Sequence, residues 1–445
     1  MPGFSRRGNA GDANCNSSGA KASHLDWLYC GTAEALPLQN TGLRRGLSLG
    51  TVFILRAMQV LLLTLLLAAS AFAAAQSPKP PLWQMQESGT TAGLRGIDSV
   101  DGTVAWASGT GGTVLKTIDG GAHWTTCAVP DAAKDGATLD FRGVQAWDAT
   151  TAIVMSSGKG KLSRLYKTKD GCKTWKLNFK NPDKDGFWDA LYFNGDRNHK
   201  SNWSDGWLLG DPVKGMFTLF YTDNLGKDWY RHSNKGLRVK QGSQGAFAAS
   251  NSSLFADSNL VAFGTGGTDG SFVNTGRNWW ICVDDCSPKD MGYYGDLHKW
   301  NRQPVQLGQY SDSSGVFSID GRTTPNAPNV LGYVTSYNTF FVSVGGDYTK
   351  PNESAGTAAW SADGGEHWTA STTPPHGFRS AVQWSEALKA WITVGTNGSD
   401  VSRDDGKTWQ PLDDGNWNAL SLPFVVGPNG RIACLNPAAL QTRKN

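Results

Sequence analysis

TIDGGAHW at residues 117–124 and SADGGEHW at 361–368 are two copies of one octet: Ser or Thr, any residue, Asp or Asn, any residue, Gly, any residue, a small polar residue or His, then Trp. SRDDGKTW at 402–409 obeys the same grammar fully. TKDGCKTW at 168–175 departs from it only at Cys172, and TDNLGKDW at 222–229 carries Asn224 in place of the acid. A sixth copy, FVNTGRNW at 272–279, is degraded, and LHKW at 297–300 keeps only the tryptophan end. Such recurrence marks an internal repeat, which decides the fold before any local reading of secondary structure.

The acid and the glycine are turn chemistry. An Asp carboxylate accepts hydrogen bonds from N–H groups of its own tight turn, the leading hydroxyl bonds locally, and Gly supplies a positive φ. Each octet is therefore a clasped hairpin, and Asp119, Asp170, Asn224, Asp363 and Asp404 are assigned structural roles. The Trp leads the next strand inward between neighbouring elements. Burying about 150–250 Å² there at about 25 cal/mol/Å² gives an upper figure of about 4–6 kcal/mol per copy.

Upstream of the octets lie apolar strand pairs, as in LRGIDSVDGTVAWASGTGGTVLKTIDGG. The first strands read LRGI (94–97), FRGV (141–144), WDAL (188–191), AFAA (246–249), VFSI (316–319), FRSAV (378–382) and WNAL (417–420). Their starts are 47, 47, 58, 70, 62 and 39 residues apart. Units of about 40–50 residues with several short strands predict an all-β fold, a β-propeller of seven blades, with loop insertions in the larger gaps. The most irregular insertion spans about 276–313. The last unit, from Trp417 to about Leu440, is too short for four strands and has no octet. LWQMQESG at 82–89 has no upstream partner and is the expected closing strand, so the N-terminal strand completes the last blade and no sheet edge is left free.

The composition agrees: 445 residues with 54 Gly, 19 Trp and 18 % charged residues are turn-rich and aromatic-rich, unlike a disordered chain or a coiled coil. The leader differs from the rest. Residues 1–57 show neither apolar period nor turn grammar and are expected to be disordered or a mis-assigned extension. In LRAMQVLLLTLLLAASAFAAAQS, Arg56 precedes an apolar run from Val60, and the small residues Ala71 to Ala75 offer a cleavage site. This reads as a secretory signal over 58–75, with Met58 as the start and cleavage before Gln76, which leaves 76–445 as a single exported domain, periplasmic or extracellular. The rival reading is an uncleaved anchor lengthened by VFIL at 52–55, the only route to a membrane. The leader holds six of the 41 basic and three of the 38 acidic residues, so residues 76–445 carry 35 of each. A neutral domain gives no reason to expect a nucleic-acid surface. Cys127, Cys172, Cys282, Cys286 and Cys434 remain; CVDDC at 282–286 could close a local disulfide, and no spacing suits zinc.

The octets resemble Asp-box repeats, also called bacterial neuraminidase repeats, of sialidases, sortilin-type receptors and several secreted glycosidases. The whole unit, an L-R-G-I strand, a V-A-W-A-S-G-T-G-G-T-V-L-K-T hairpin and D-G-G-x-x-W, is similar to the photosystem II stability and assembly factor family of seven-bladed propellers. That resemblance covers about 82–440. It implies a module that binds a protein partner, without a cofactor, and an arginine-rich face in partner binding. It implies no activity, since these boxes recur on proteins of unrelated function.

Function is sought on the innermost strands, whose ends line one rim of the central channel. Their second positions are Arg95, Arg142, Asp189 and Arg379, with Asn418 in the closing blade. Arginines converging there would suit an acidic peptide segment or an anionic glycan, because a guanidinium recognises carboxylates in a planar, bidentate way. The alternative is that they pair with Asp189 and with backbone carbonyls and simply fill the channel mouth. In the insertion, Trp279, Trp280, Tyr293, Tyr294 and Trp300 form either a ligand platform or a small core of their own. A sialidase-like glycoside hydrolase or a carbohydrate-binding protein is the second functional class. Against it, no F-R-I-P sequence precedes the boxes and no tyrosine lies on FRSAV or WNAL. Asp185, Asp189 and Asp211 are read as solvated loop acids. The histidines lack H-x-x-x-H and H-E-x-x-H spacing, no G-x-S-x-G is present, and GTGGT at 109–113 and GTGGTDG at 264–270 lack the Lys and helix of a phosphate loop. No catalytic residue, metal or cofactor is assigned, and a monomer is expected.

Overall fold

The computed structural model describes residues 81–441 apart from 131, 133–138, 195–204, 241, 258–259, 278–299, 309 and 326–336. The signal reading, the extension at 1–57 and the Cys282–Cys286 pair lie outside the described residues.

The described strands form seven four-stranded antiparallel sheets. Blade 1 is β2–β5 (Leu94–Ser99, Ala105–Gly109, Val114–Thr117, Thr125–Thr126) and blade 2 is β6–β9 (Phe141–Ala146, Ala152–Ser156, Arg164–Thr168, Lys176–Lys180). Blade 3 is β10–β13 (Trp188–Asn194, Asp205–Val213, Met216–Thr222, Tyr230–Arg231) and blade 4 is β14–β17 (Leu254–Ala256, Leu260–Thr265, Phe272–Arg277, Asn301–Pro304). Blade 5 is β18–β21 (Ser314–Pro325, Tyr337–Asp347, Ala358–Ser361, Thr369–Ala370) and blade 6 is β22–β25 (Ala381–Ser385, Ala390–Gly395, Gly398–Ser402, Gln410–Asp413). Blade 7 takes β26–β28 (Ala419–Ser421, Phe424–Val426, Ile432–Leu435) and, as its outer strand, β1 (Trp83–Gln86). The closing strand is thus the one the sequence designates. It pairs from Trp83 with Leu435 to Gln86 with Ile432. Gln86 also reaches blade 1, donating to the Gly120 carbonyl at 3.0 Å and accepting from Trp124 Nε1 at 3.1 Å.

Between successive blades lie seven apolar clusters, one per junction. The octets feed these clusters. Asp119 accepts from the His123 N–H at 2.9 Å and from the Thr117 hydroxyl at 2.8 Å, and the same clasp recurs at Asp170, Asn224, Asp363 and Asp404. The Trp packs on the preceding blade, as Trp124 does on Phe424 and Trp175 on Trp106. Of the five box tryptophans only Trp409 is fully buried, so the others contribute less than the upper figure set by complete burial.

Two details of the clasp exceed the sequence reading. Both the fourth and the fifth positions lie at positive φ, as at Gly120 and Gly121, Leu225 and Gly226, or Asp405 and Gly406. The fifth also abuts a neighbouring blade: a Cβ on Gly226 would sit 2.8 Å from Ile153 Cδ1, and on Gly406 2.9 Å from Val342 Cγ2. At Cys172, with φ of 70°, the side chain that replaces hydrogen is joined in a disulfide to Cys127 of the preceding unit. That bond explains the one break in the repeat grammar.

Two assignments need correction. FVNTGR of the degraded octet is strand β16 and no clasp, because it continues pairing with β17. AFAA at 246–249 is not the first strand of blade 4; that strand is LFA at 254–256. Gly245 bridges Gly266, and the chain then leaves the sheet over Ala246–Ser253. The reason is local bonding that competes with the ladder, with Asn251 at φ of 63° and serines on both sides. This segment fills the channel. Asn251 Oδ1 accepts from the Leu191 N–H of blade 3 at 2.8 Å, and Ser252 Oγ meets Ser318 Oγ of blade 5 at 2.7 Å. Ser250 Oγ donates to the Ser380 carbonyl beside blade 6 at 2.6 Å, and Arg142 Nη1 of blade 2 donates to the Ala248 carbonyl at 3.1 Å. Only a segment inside the ring can touch inner strands on opposite sides of it.

At the far end of the channel the inner strands are stitched directly. Asp98 Oδ2 accepts from the Ala146 N–H at 2.7 Å, Gln145 Oε1 from Phe193 at 3.3 Å, Asp320 Oδ2 from Trp384 at 2.7 Å, Gln383 Oε1 from Leu422 at 2.8 Å, and Ser421 Oγ from Ser99 at 2.9 Å. Each bond joins one blade to the next.

Candidate functional site

The rim opposite this girdle collects the residues singled out in the sequence. In blades 1, 2, 3 and 5 the register slips by one residue at the second position of the first strand. A bulge re-aims its extra residue away from the ladder. Arg95, Arg142, Asp189 and Phe317 are those residues, which is why the second position is the one that faces the channel mouth.

Arg95 and Arg142 lie on either side of Asp140. Arg142 Nε donates to Asp140 Oδ2 at 2.8 Å, whereas Arg95 Nε stands 3.6 Å from Asp140 Oδ1. Arg95 makes no hydrogen bond among the described residues although its side chain is only 34 % exposed. Burial, then the charge of Arg142, pull Arg95 below its usual pKa, against Asp140, which raises it. The Arg142 side chain is 27 % exposed. Two neighbouring guanidiniums share one carboxylate, Asp140, which leaves Arg95 with donors unused among the described residues.

Asp189 is 1 % exposed and its Oδ2 has no partner among the described residues. Burial first, then the nearby Asp211, push its carboxyl well above the usual range, with Arg142 opposing. Asp211, on β11, is raised to about 6 by burial, against the hydrogen bond it accepts from the Ala246 N–H at 3.0 Å. Asp189 is buried and Asp211 half-buried, both on strands, so the expectation of solvated loop acids fails for them. For Asp211 it failed because the segment before β14 lies against it, with Ala246 donating to its carboxylate, an event no local pattern announces. Asp185 does lie in an exposed loop, paired with Lys159 at 2.9 Å.

Arg379 and Asn418 do not join this group. Arg379 is 0 % exposed: its Nε donates to Asp400 Oδ2 at 2.6 Å and its Nη1 to the Phe378 carbonyl and to Asn397 Oδ1, each at 2.6 Å. His376 closes the cluster, with Nδ1 2.8 Å from Asp400 Oδ1 and Nε2 2.9 Å from the Asn397 carbonyl. Asn418 Nδ2 donates to the Leu94 carbonyl at 2.7 Å and so latches blade 7 to blade 1. Neither the Asp400 partner nor the latch could be read from spacing, since both lie in other blades or other strands.

The remaining sector of the rim is aromatic. Phe247 stacks on Phe317 with ring centroids 3.8 Å apart, and Phe317 meets Phe378 at 4.8 Å and Tyr348 at 6.1 Å. A Cβ on Gly266 or on Gly315 would come within 2.7 Å of Phe247 Cε2, so both glycines are needed to seat this ring. Tyr348 is 52 % exposed. Of the insertion's aromatic group only Trp300 is described; it is buried in a core cluster against Phe263 and is no platform. Trp279, Trp280, Tyr293 and Tyr294 lie outside the described residues.

The box acids are occupied by their turns; the Thr174 hydroxyl, then its N–H, hold Asp170 down to about 2. Among the described residues no group of three His, Cys, Asp or Glu side chains is placed to hold a metal ion.

No family model matches the sequence, and no curated protein matches it. Solved structures do. A structure described as YCF48 bound to D1 peptide is 15 % identical over 81 % of this chain and 99 % of that chain, with a TM-score of 0.47. YCF48 from Cyanidioschyzon merolae is 17 % identical over 80 % of this chain and 99 % of that one, with a TM-score of 0.49. The GH74 enzyme of Niastella koreensis is 13 % identical over 77 % of this chain and 56 % of that one, with a TM-score of 0.30. At such identities and scores no function passes from these proteins to this chain, and its seven-bladed β-propeller architecture stands on its own strand pairing.

Proposed function

We propose that the protein is an exported, non-enzymatic binding module whose rim at blades 1 and 2 captures an acidic segment of a protein or peptide. The observation that carries this reading is the Arg95 guanidinium, which faces the rim with no hydrogen bond among the described residues, beside Arg142. The buried Nε of Arg95 lacks a hydrogen bond and meets Asp140 only at 3.6 Å, which is costly to maintain, and a ligand carboxylate would satisfy the guanidinium bidentately. Export is supported by the Cys127–Cys172 disulfide, a bond that persists in oxidising compartments.

The test is fluorescence polarisation of residues 76–445 with a labelled hexaglutamate peptide and a hexaglutamine control. The expected outcome is salt-sensitive capture of hexaglutamate alone, weakened at least about tenfold by Arg95→Glu with an unchanged melting temperature. Equal retention of both peptides, or indifference to Arg95→Glu, refutes the reading.

Glycoside hydrolysis is the second reading, supported by the interacting acids Asp189 and Asp211, one of which would enter the reaction protonated. It ranks lower because Asp189 is closed off from a substrate at 1 % exposure. Turnover of an aryl glycoside or sialoside that disappears in Asp189→Asn would put it first.

A further inference from the structure

The arginine pair does not stand alone on the rim. Arg142 Nη1 touches the Ala248 carbonyl at 3.1 Å, and Ala248 follows Phe247 in the chain. From Arg95 the rim therefore runs through Asp140 and Arg142 to Ala248, then directly onto the stacked Phe247 and Phe317 and the half-exposed Tyr348. The aromatic sector is built. Gly266 and Gly315 leave room for the Phe247 ring that a Cβ would take, and Phe378 braces Phe317 edge-on, with ring planes at 90°. The channel beneath is filled by the 248–253 segment, so a ligand must lie across the mouth and cannot thread it.

We infer that this rim is a two-part subsite for a peptide in which an acidic side chain is flanked by an aromatic or large aliphatic side chain. The acid pairs with Arg95 and Arg142; the apolar side chain lies against Phe247 and Tyr348. This inference rests on the anionic-peptide reading above and adds the second specificity element. A peptide fits better than a glycan because its acid and its apolar group are separate side chains on one extended backbone, matching a charged sector and an aromatic sector that adjoin at a backbone carbonyl. Aromatic contacts in partly desolvated pockets dominate such interfaces, while an exposed ion pair alone adds little.

The experiment is an array of immobilised dodecapeptides with amidated carboxyl termini, so that Glu is the sole carboxylate. Each carries one or no Glu and, at each neighbouring position in turn, Phe, Leu, Ala or Ser; it is probed with the wild-type domain, Tyr348→Ala and Arg95→Gln. The wild type is expected to retain Glu-Phe and Glu-Leu peptides at least about fivefold over Glu-Ala. Tyr348→Ala should erase that preference yet keep the dependence on Glu, and Arg95→Gln should erase the dependence on Glu. Selection of Glu with no preference among its neighbours overturns the two-part subsite and leaves the anionic reading standing. Absence of any Glu dependence overturns both. A parallel arm of immobilised sialosides and uronic-acid glycans that alone retains the protein through Tyr348 would also overturn the peptide assignment. Tyr348 lies in a half-exposed loop, so its truncation tests the site without removing core packing.

Discussion

Arg95 and Arg379 occupy the same place in the repeat, yet one is unbonded at the rim and the other is enclosed by Asp400, Asn397 and a carbonyl. The difference lies in their neighbours. Blade 6 offers a fully buried carboxylate in β24 beside its arginine, whereas Arg95 meets only Asp140 at the start of blade 2, which Arg142 already engages. Arg379→Ala is therefore expected to cost about 3–5 kcal/mol, because it breaks a buried ion pair and leaves the Asp400 carboxylate to His376. Arg95→Ala should stay within about 0.5 kcal/mol of wild type. Urea unfolding of the two variants checks this, and equal losses would show that the two arginines do the same work.

At the scale of elements, the segment 248–253 substitutes for a straight first strand and turns an open channel into a packed one. Its anchor is Asn251, whose Oδ1 serves the Leu191 N–H and whose φ of 63° suits Asn better than most residues. Asn251→Ala should destabilise the domain by about 1–3 kcal/mol, since it leaves a buried donor unpartnered and worsens the backbone strain. Asn251→Asp keeps the acceptor and should lose less. Calorimetry of the two variants separates the bond from the φ preference, and a neutral Asn251→Ala would mean that the segment is not held as described.

For the whole molecule, closure and titration both reach beyond single blades. A chain that starts at residue 91 lacks β1, so β28 presents an unpaired edge. Free edges recruit other chains. Light scattering should then show oligomers, with monomers restored by added LWQMQESG peptide; a stable monomer without the peptide would mean that the ring does not depend on the strand. The pH profile of stability follows from opposed shifts. Asp170, held at about 2, contributes fully above the ordinary value near 3.9, and that contribution is lost as pH falls through about 2. Asp211 and Asp320, each raised to about 6 by burial, act oppositely: the folded state keeps protons that the unfolded chain releases, so stability falls as pH rises from about 4 through about 6. His376 is raised by its hydrogen bond to Asp400, against burial, so its contribution is complete below about 6.5 and fades above its folded value. Melting temperature should peak near pH 4–5, about where the two windows meet, and Asp211→Asn should flatten the descending limb. A profile level between pH 4 and 7, roughly the span of both windows, would contradict these assignments.

The octets determined the hairpin clasps, and the recurring first strands with the short last unit determined the seven-bladed count and the closing role of residues 82–89, because turn chemistry and strand period are local and repeat in register. The second positions of the first strands were legible as residues, and Arg95, Arg142 and Asp189 each stand at a register slip that the repeat did not announce. Tertiary structure decided the rest. Which arginine stays unbonded, which acids are buried, where Cys172 finds its partner and what fills the channel depend on residues distant in the chain meeting across strands and blades, from Arg379 and Asp400 at a separation of 21 to Cys127 and Cys172 at 45. Burial and charge pairing are properties of those meetings, and a repeat fixes its own turns without fixing what faces them.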